Sequence, residues 1–117
     1  MAQVRFESQP LAHPPAKDLE LASVLRALAD PIRLEIVRRI AADPSGERQC
    51  GSFQDELDCS KQNLSHHARI LREAGITRTR EDGRNRFVSL RRADLERRFP
   101  GLLDSIVGRA RSKVPRM

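Results

Sequence analysis

Apolar residues recur at helical spacing through the first part of the chain. Between Lys17 and Ala29 they fall at Leu19, Ala22, Leu25, Ala27, Leu28 and Ala29, a wide apolar face that predicts a helix. Asp30-Pro31 interrupts it. Asp is a good N-cap and Pro is tolerated at the first helical position, so a second helix is predicted from Pro31 to about Ala42. Its buried side is Ile32, Leu34, Ile36, Val37 and Ile40, with Arg33, Arg38 and Arg39 mostly outside. "DPSGERQCGS", Asp43 to Ser52, reads as a loop from its Pro, Gly and Ser content. Phe53 to Leu57 reads as a short third helix and Asp58-Cys59-Ser60 as a tight connection. Ser60 is then the N-cap of a longer helix, and Gly75 the residue that ends it.

After Gly75 the period changes from that of a helix to that of a strand. "ITRTRE" and "NRFVSL" predict two strands around Asp82-Gly83, a strong hairpin signal. Arg91 to Phe99 predicts a helical turn or two. Pro100 allows a last helix, "GLLDSIVGRA", with Leu102, Leu103, Ile106 and Val107 at helical spacing. Three of the seven prolines lie in residues 1–16, which read as an extended arm that Val4 and Phe6 could dock. Residues 17–112 form one domain in this reading, and residues 113–117 a basic tail.

The chain has four Phe and no Trp or Tyr among 117 residues, so its core must be aliphatic. A small aliphatic core gains from sharing apolar surface with a second copy, and symmetric dimers are the commonest oligomers. Leu103 with Ile106, or Leu21 with Leu25, are the expected interface residues. The formal charge is +6, unevenly placed. Residues 1–59 carry 7 Lys/Arg against 10 Asp/Glu, residues 60–92 carry 9 against 3, and residues 93–117 carry 6 against 3. Basic character thus begins with the helix after Ser60. A local basic block points to nucleic acid, because neutralising phosphates releases counterions. The N-terminus lacks a basic region followed by an apolar one, and no apolar run approaches the roughly 20 residues of a membrane span. A cytoplasmic protein with free thiols is expected, with no membrane partner and no cofactor.

"SKQNLSHHARILREAG", Ser60 to Gly75, carries two adjacent histidines. On a helix, Leu64, His67, Ala68 and Leu71 share the inward stripe. Gln62, Ser65, His66 and Arg69 share another, rich in donors and free of carboxylates, that fits the major groove. A short helix, a tight turn, a polar-faced helix and a basic hairpin make a winged helix-turn-helix. The hairpin carries Arg78, Arg80, Arg84, Asn85 and Arg86 toward phosphates or the minor groove. Metal ligation by the histidine pair is disfavoured, since neighbours on a helix point about 100° apart. His67 is expected to be packed and hydrogen-bonded. Cys59 and His66 lack an oxyanion hole or a third orienting group, so an enzyme is not expected.

"LRALADPIRLEIVRRI" (Leu25 to Ile40), "LSHHARILREAGI" (Leu64 to Ile76) and "REDGRNRFVSL" (Arg80 to Leu90) together closely resemble the ArsR-type winged-helix transcriptional regulators, over roughly residues 19 to 99. The resemblance implies a mainly α winged helix-turn-helix of about five to six helices with a two-stranded wing, paired as a homodimer on double-stranded DNA at a near-palindromic operator. It also implies repression relieved by an effector, here an unknown small molecule or redox agent. By motif position, Gln62, Asn63, Ser65 and His66 are the base contacts, Ser60, Lys61 and Arg69 phosphate contacts, and Arg84 and Arg86 the wing tip. Metal-sensing members carry a box like E-L-C-V-C-D-L. Here "ERQCGSF", Glu47 to Phe53, puts Gln49 and Gly51 where the box cysteines fall, so no metal site is expected. Cys50 and Cys59 leave two readings open: inert residues, or a thiol switch in which a helix N-terminus lowers the pKa of Cys50. A winged-helix module for protein or RNA binding is the remaining alternative.

Overall fold

The computed structural model describes residues 11–108. Residues 1–10, with Val4 and Phe6, and residues 109–117, with the end of the last expected helix and the basic tail, lie outside them. Six α-helices and a three-stranded sheet follow in the order α1 (Leu21–Leu28), α2 (Pro31–Ala42), β1 (Glu47–Gln49), α3 (Phe53–Glu56), α4 (Lys61–Glu73), β2 (Thr77–Asp82), β3 (Asn85–Leu90), α5 (Arg92–Arg98) and α6 (Leu102–Val107). Single 3-10 turns occupy Ala16–Asp18 and Cys50–Ser52. This is a winged helix-turn-helix: α3 and α4 are the two helices of the motif, and β2 and β3 the wing.

Local chemistry sets most boundaries. The Asp30 carboxylate accepts from the N–H groups of Ile32 (2.8 Å) and Arg33 (3.1 Å), and Pro31 follows as the first helical residue. The Ser60 hydroxyl oxygen accepts from the N–H of Asn63 at 3.1 Å. Helices α3 and α4 end alike. After α4, Gly75 is left-handed at φ +86°, its N–H donates to Arg72 O, and the N–H of Ile76 donates to Leu71 O, both at 3.0 Å. After α3, Asp58 takes the left-handed position at φ +48°, and Cys59 N–H donates to Gln54 O at 3.1 Å. Both are Schellman endings, with the following residue, Ile76 or Cys59, turned into the core.

Three expectations need correction. Helix α1 begins at Leu21, not Lys17. Leu19 is extended at φ −70°, ψ 131°, with its side chain buried, so the chain enters the helix only after seating Leu19 in the core. The stretch read as a loop contains β1, and the sheet has three antiparallel strands in the order β1-β3-β2. Its register pairs Arg48 with Val88 and Thr79 with Val88 from the two sides. β1 is three polar residues, so no alternation announces it. Its side chains are held from elsewhere: Arg80 of β2 holds Glu47 through two bonds of 2.8 and 3.0 Å, and the Arg48 guanidinium lies 4.4 Å over the ring of Phe53 in α3. Third, Leu103 is buried at 4% exposure among Val24, Leu28, Ile76 and Leu95, a core position rather than an interface one. Leu21 and Leu25 stay 45% and 47% exposed.

The hairpin turns at Gly83-Arg84, between the paired residues Asp82 and Asn85. Positive φ is confined to Gly83, at +65°, the pattern of a II′ turn. The aliphatic core runs from Leu19 and Val24 through Ile36, Val37 and Ile40 to Leu71, Ile76 and Val88, with Phe53 its one fully buried aromatic ring among the described residues.

Gly75 and Gly46 separate two costs. Both are left-handed, but a Cβ at Gly46 would meet open space, whereas one at Gly75 would run into Leu19 Cδ2. Gly46→Ala should lose about 1 kcal/mol of unfolding free energy, and Gly75→Ala about 2–4 kcal/mol, since overpacking adds to the backbone penalty. Urea unfolding of both variants at one protein concentration checks the difference.

Candidate nucleic-acid interface

Helix α4 shows two faces. Leu64 and Leu71 are buried, and His67 and Ala68 are half-buried beside them. On the opposite side Lys61, Gln62, Ser65, His66 and Arg69 line one outward groove of about 520 Å³. No carboxylate lines it. The spacing of 62, 65, 66 and 69 is that of one helical face, so these side chains present donors along a continuous surface. Ser60 and Asn63 are exposed but engaged with one another, the hydroxyl of Ser60 accepting from the Asn63 backbone. They stand at the rim rather than in the groove.

The wing meets this surface through a second cleft, of about 340 Å³, where Lys61 and Ser65 are joined by Arg84 and Arg86. The wing arginines are not equivalent. Arg80 is held by Glu47 and lies 4.5 Å over the Phe87 ring, and Arg78 stands 3.7 Å from Asp94. Both are engaged within the fold, Arg80 with β1 and Arg78 with α5. Arg86 is 3.1 Å from Glu81. Arg84, at the turn, has no ion-pair or hydrogen-bond partner among the described residues. Of the five wing residues read as phosphate-facing, the structure therefore leaves Arg84 free and Arg86 half engaged. Asn85 accepts from Gln49 Nε2 at 2.8 Å.

His67 faces inward and accepts at Nδ1 from the Arg33 guanidinium at 3.2 Å, while Arg33 Nε donates to Ala27 O at 2.6 Å. Arg33 thus ties the end of α1 to α4, a role its place on the polar side of α2 did not announce. Burial holds the His67 pKa below its usual 6.5; nearby Asp30 pulls it upward and Arg33 downward. His13 accepts at Nε2 from the Thr79 N–H at 3.0 Å. Its pKa is also lowered, first by burial and then by Arg72, Arg78 and Arg91.

Cys50 and Cys59 are both free thiols. Burial pushes the Cys50 thiol up, against the opposing pull of Arg86 and Arg72. Cys59 is a buried residue of the helix-turn-helix turn. These environments do not favour a thiol switch. Among the described residues, no group of three or more His, Cys, Asp or Glu is placed to hold a metal ion. Nor is any helix among them long and apolar enough to cross a membrane.

A short helix, a left-handed turn and a polar-faced second helix beside a basic hairpin define a winged helix-turn-helix DNA-binding domain. Comparison with known proteins agrees. A helix-turn-helix domain family matches residues 28–80. An uncharacterised HTH-type transcriptional regulator, YceK of Bacillus subtilis, is 36% identical over 85 residues, covering 73% of this chain and 84% of the relative. The arsenical resistance operon repressor of Staphylococcus aureus is 31% identical over 77 residues, covering 66% and 71%. The structure of HlyU from Vibrio cholerae superposes with a TM-score of 0.55 at 26% identity, covering 67% of this chain and 89% of that one. The chain belongs to the ArsR-type winged helix-turn-helix family, and it is a DNA-binding transcriptional regulator.

The two lowered histidines fix a pH dependence. The folded chain binds protons at His13 and His67 less readily than the unfolded chain. Unfolding therefore takes up protons below the usual 6.5, and stability falls as pH drops from there through the folded values. Between about pH 7 and about 5.5 the unfolding free energy should decline, and His13→Gln with His67→Gln should flatten that decline. Urea titrations at several pH values check it.

Proposed function

We propose that the chain is a repressor that binds a near-palindromic operator as a homodimer, α4 of each copy lying in successive major grooves. The observation that carries this is the outward groove of Lys61, Gln62, Ser65, His66 and Arg69, which offers donors and no carboxylate. In this reading Gln62, Ser65 and His66 meet base edges, with Asn63 beside them. Lys61 and Arg69 meet phosphates, as does Ser60 at the helix start, and Arg84 with Arg86 extends the contact from the wing. The repressor named in Staphylococcus aureus supports the sign of regulation. The two half-exposed leucines of α1, Leu21 and Leu25, support pairing of copies through that helix. Residues 17–112 act as the DNA-binding and dimerisation unit, flanked by the arm 1–16 and the tail 113–117. An effector, not a catalytic step, controls release, and the protein works in the cytoplasm.

Base contacts and phosphate contacts have different signatures. Gln is suited to adenine through N6 and N7, and a lost bidentate contact costs about 1–3 kcal/mol of discrimination. Gln62→Ala should weaken operator binding and leave binding to a scrambled duplex nearly unchanged. Arg84→Ala should weaken both, and lower the slope of log affinity against log salt by about 0.9. Arg86→Ala should lower it less, because Arg86 already has Glu81. Affinities on both duplexes across a salt series decide; equal loss on both duplexes for Gln62→Ala would remove α4 as the reader.

Dimerisation has its own test. Leu21→Glu with Leu25→Glu should give a folded monomer with much weakened operator affinity, whereas Leu103→Glu should unfold the chain because Leu103 is core. Sedimentation and circular dichroism separate the two outcomes.

A further inference from the structure

The cleft between α4 and the wing is unlike the outward groove. At about 340 Å³ it has the size of a site for a small organic molecule. Lys61, Arg72, Arg84 and Arg86 line it, and no Asp or Glu does. Only Arg86 among these cations has an ion-pair partner among the described residues. Arg72 is the most constrained of the four. It is half-buried, and its Nε is fully sheltered with no hydrogen-bond partner among the described residues. Four cationic side chains around one cleft, with no acid in its lining, leave a positive charge that an anion would balance. Arg72 lines the cleft together with Cys50 and Thr79. Leu64, Ala68 and Cys50 add less polar wall to the same cleft.

We propose that this cleft binds a small organic anion, a carboxylate or phosphate on a body of modest size. The charged group lies against Arg72 with help from Lys61 and Arg84, and the body against Leu64, Ala68 and Cys50. The ligand regulates DNA binding by competition, because Lys61 and Ser65 line both the cleft and the outward groove. Such coupling is reciprocal: operator DNA weakens the anion by the same factor. This regulatory half rests on α4 being the DNA reader.

The test uses the full chain and two probes, benzoate and inorganic phosphate, at constant ionic strength. Without DNA, amide NMR should show saturable shifts concentrated at Cys50, Ser65, Ala68 and Thr79 for at least one probe. Arg72→Gln should weaken that binding by at least about fivefold, while Arg72→Lys, which keeps the charge, should lose less. The amide spectra report whether each variant is folded. With DNA, a saturating probe should lower operator affinity of the natural chain and not of Arg72→Gln. Shifts scattered over the surface without saturation, or equal affinity in Arg72→Gln, would overturn the site. So would loss of operator affinity in Arg72→Gln with no saturable anion binding, since the cleft would then serve the DNA backbone alone. If α4 were not the reader, saturable binding without DNA would persist while competition with operator vanished, which separates the two failures.

Discussion

The placement of α4 depends on a three-residue reversal at its end. The helix stops at Glu73 and β2 starts at Thr77, so the chain must turn from helix to strand within Ala74 to Ile76. Gly75 makes this possible in two ways: it adopts a left-handed backbone, and its missing Cβ leaves room for Leu19. Ile76 then drops into the core near Leu71, both essentially unexposed. Helix α4 and the wing are therefore fixed to each other by buried apolar contacts rather than by surface charge. Arg33 adds a second tether from the other side, joining the α1 terminus to His67.

Charge on this protein is sorted into two uses. Arg91 is buried at 4% exposure and is spent on structure, holding Asp94 at 3.0 Å and the carbonyl of Pro14 at 2.7 Å. Arg80 closes the sheet onto β1 through Glu47, and Arg39 and Arg48 both reach Glu56. Among the described residues, the cations whose side chains have no ion-pair or hydrogen-bond partner are Lys61, Arg69, Arg72 and Arg84, on α4 and the wing turn, and Arg26 on α1. A formal charge of +6 thus understates the contrast between faces. A free cation can exchange its counterions for phosphates at little cost, whereas one already paired must first give up its carboxylate.

Features decided within a few residues were legible in the sequence. The Asp30-Pro31 cap, the Ser60 cap, the Gly75 terminator and the hairpin all follow from neighbours on the chain, and the outward stripe of α4 follows from its period. Features decided by distant partners were not. β1 exists because Glu47 to Gln49 pair with residues some forty positions later, and nothing in "ERQ" signals that. Leu103 has the same pattern as a dimer-facing leucine, and only packing against Val24 and Leu95 makes it core. The expectation for Cys50 counted a helix dipole and not burial, which pushes the thiol up. In the candidate site, the face could be read but not which arginines were free, because Glu47 and Glu81 act across strands. Arg72 was missed since its isolation is visible only once the wing is folded over it.

The hydrogen bond from Thr79 to His13 has a consequence for the surface of the sheet. β2 is an edge strand, and an edge with open N–H groups is a template for strand addition by another chain. His13 takes one of those N–H groups, and Arg91 pins the adjacent Pro14 so that the segment stays across the edge. The opposite edge, β1, is only three residues long and carries charge. The β2 edge is thus interrupted at Thr79 and the β1 edge is short, which limits strand addition at both margins. A chain built this way is less open to joining a neighbouring copy edge to edge into a continuous sheet.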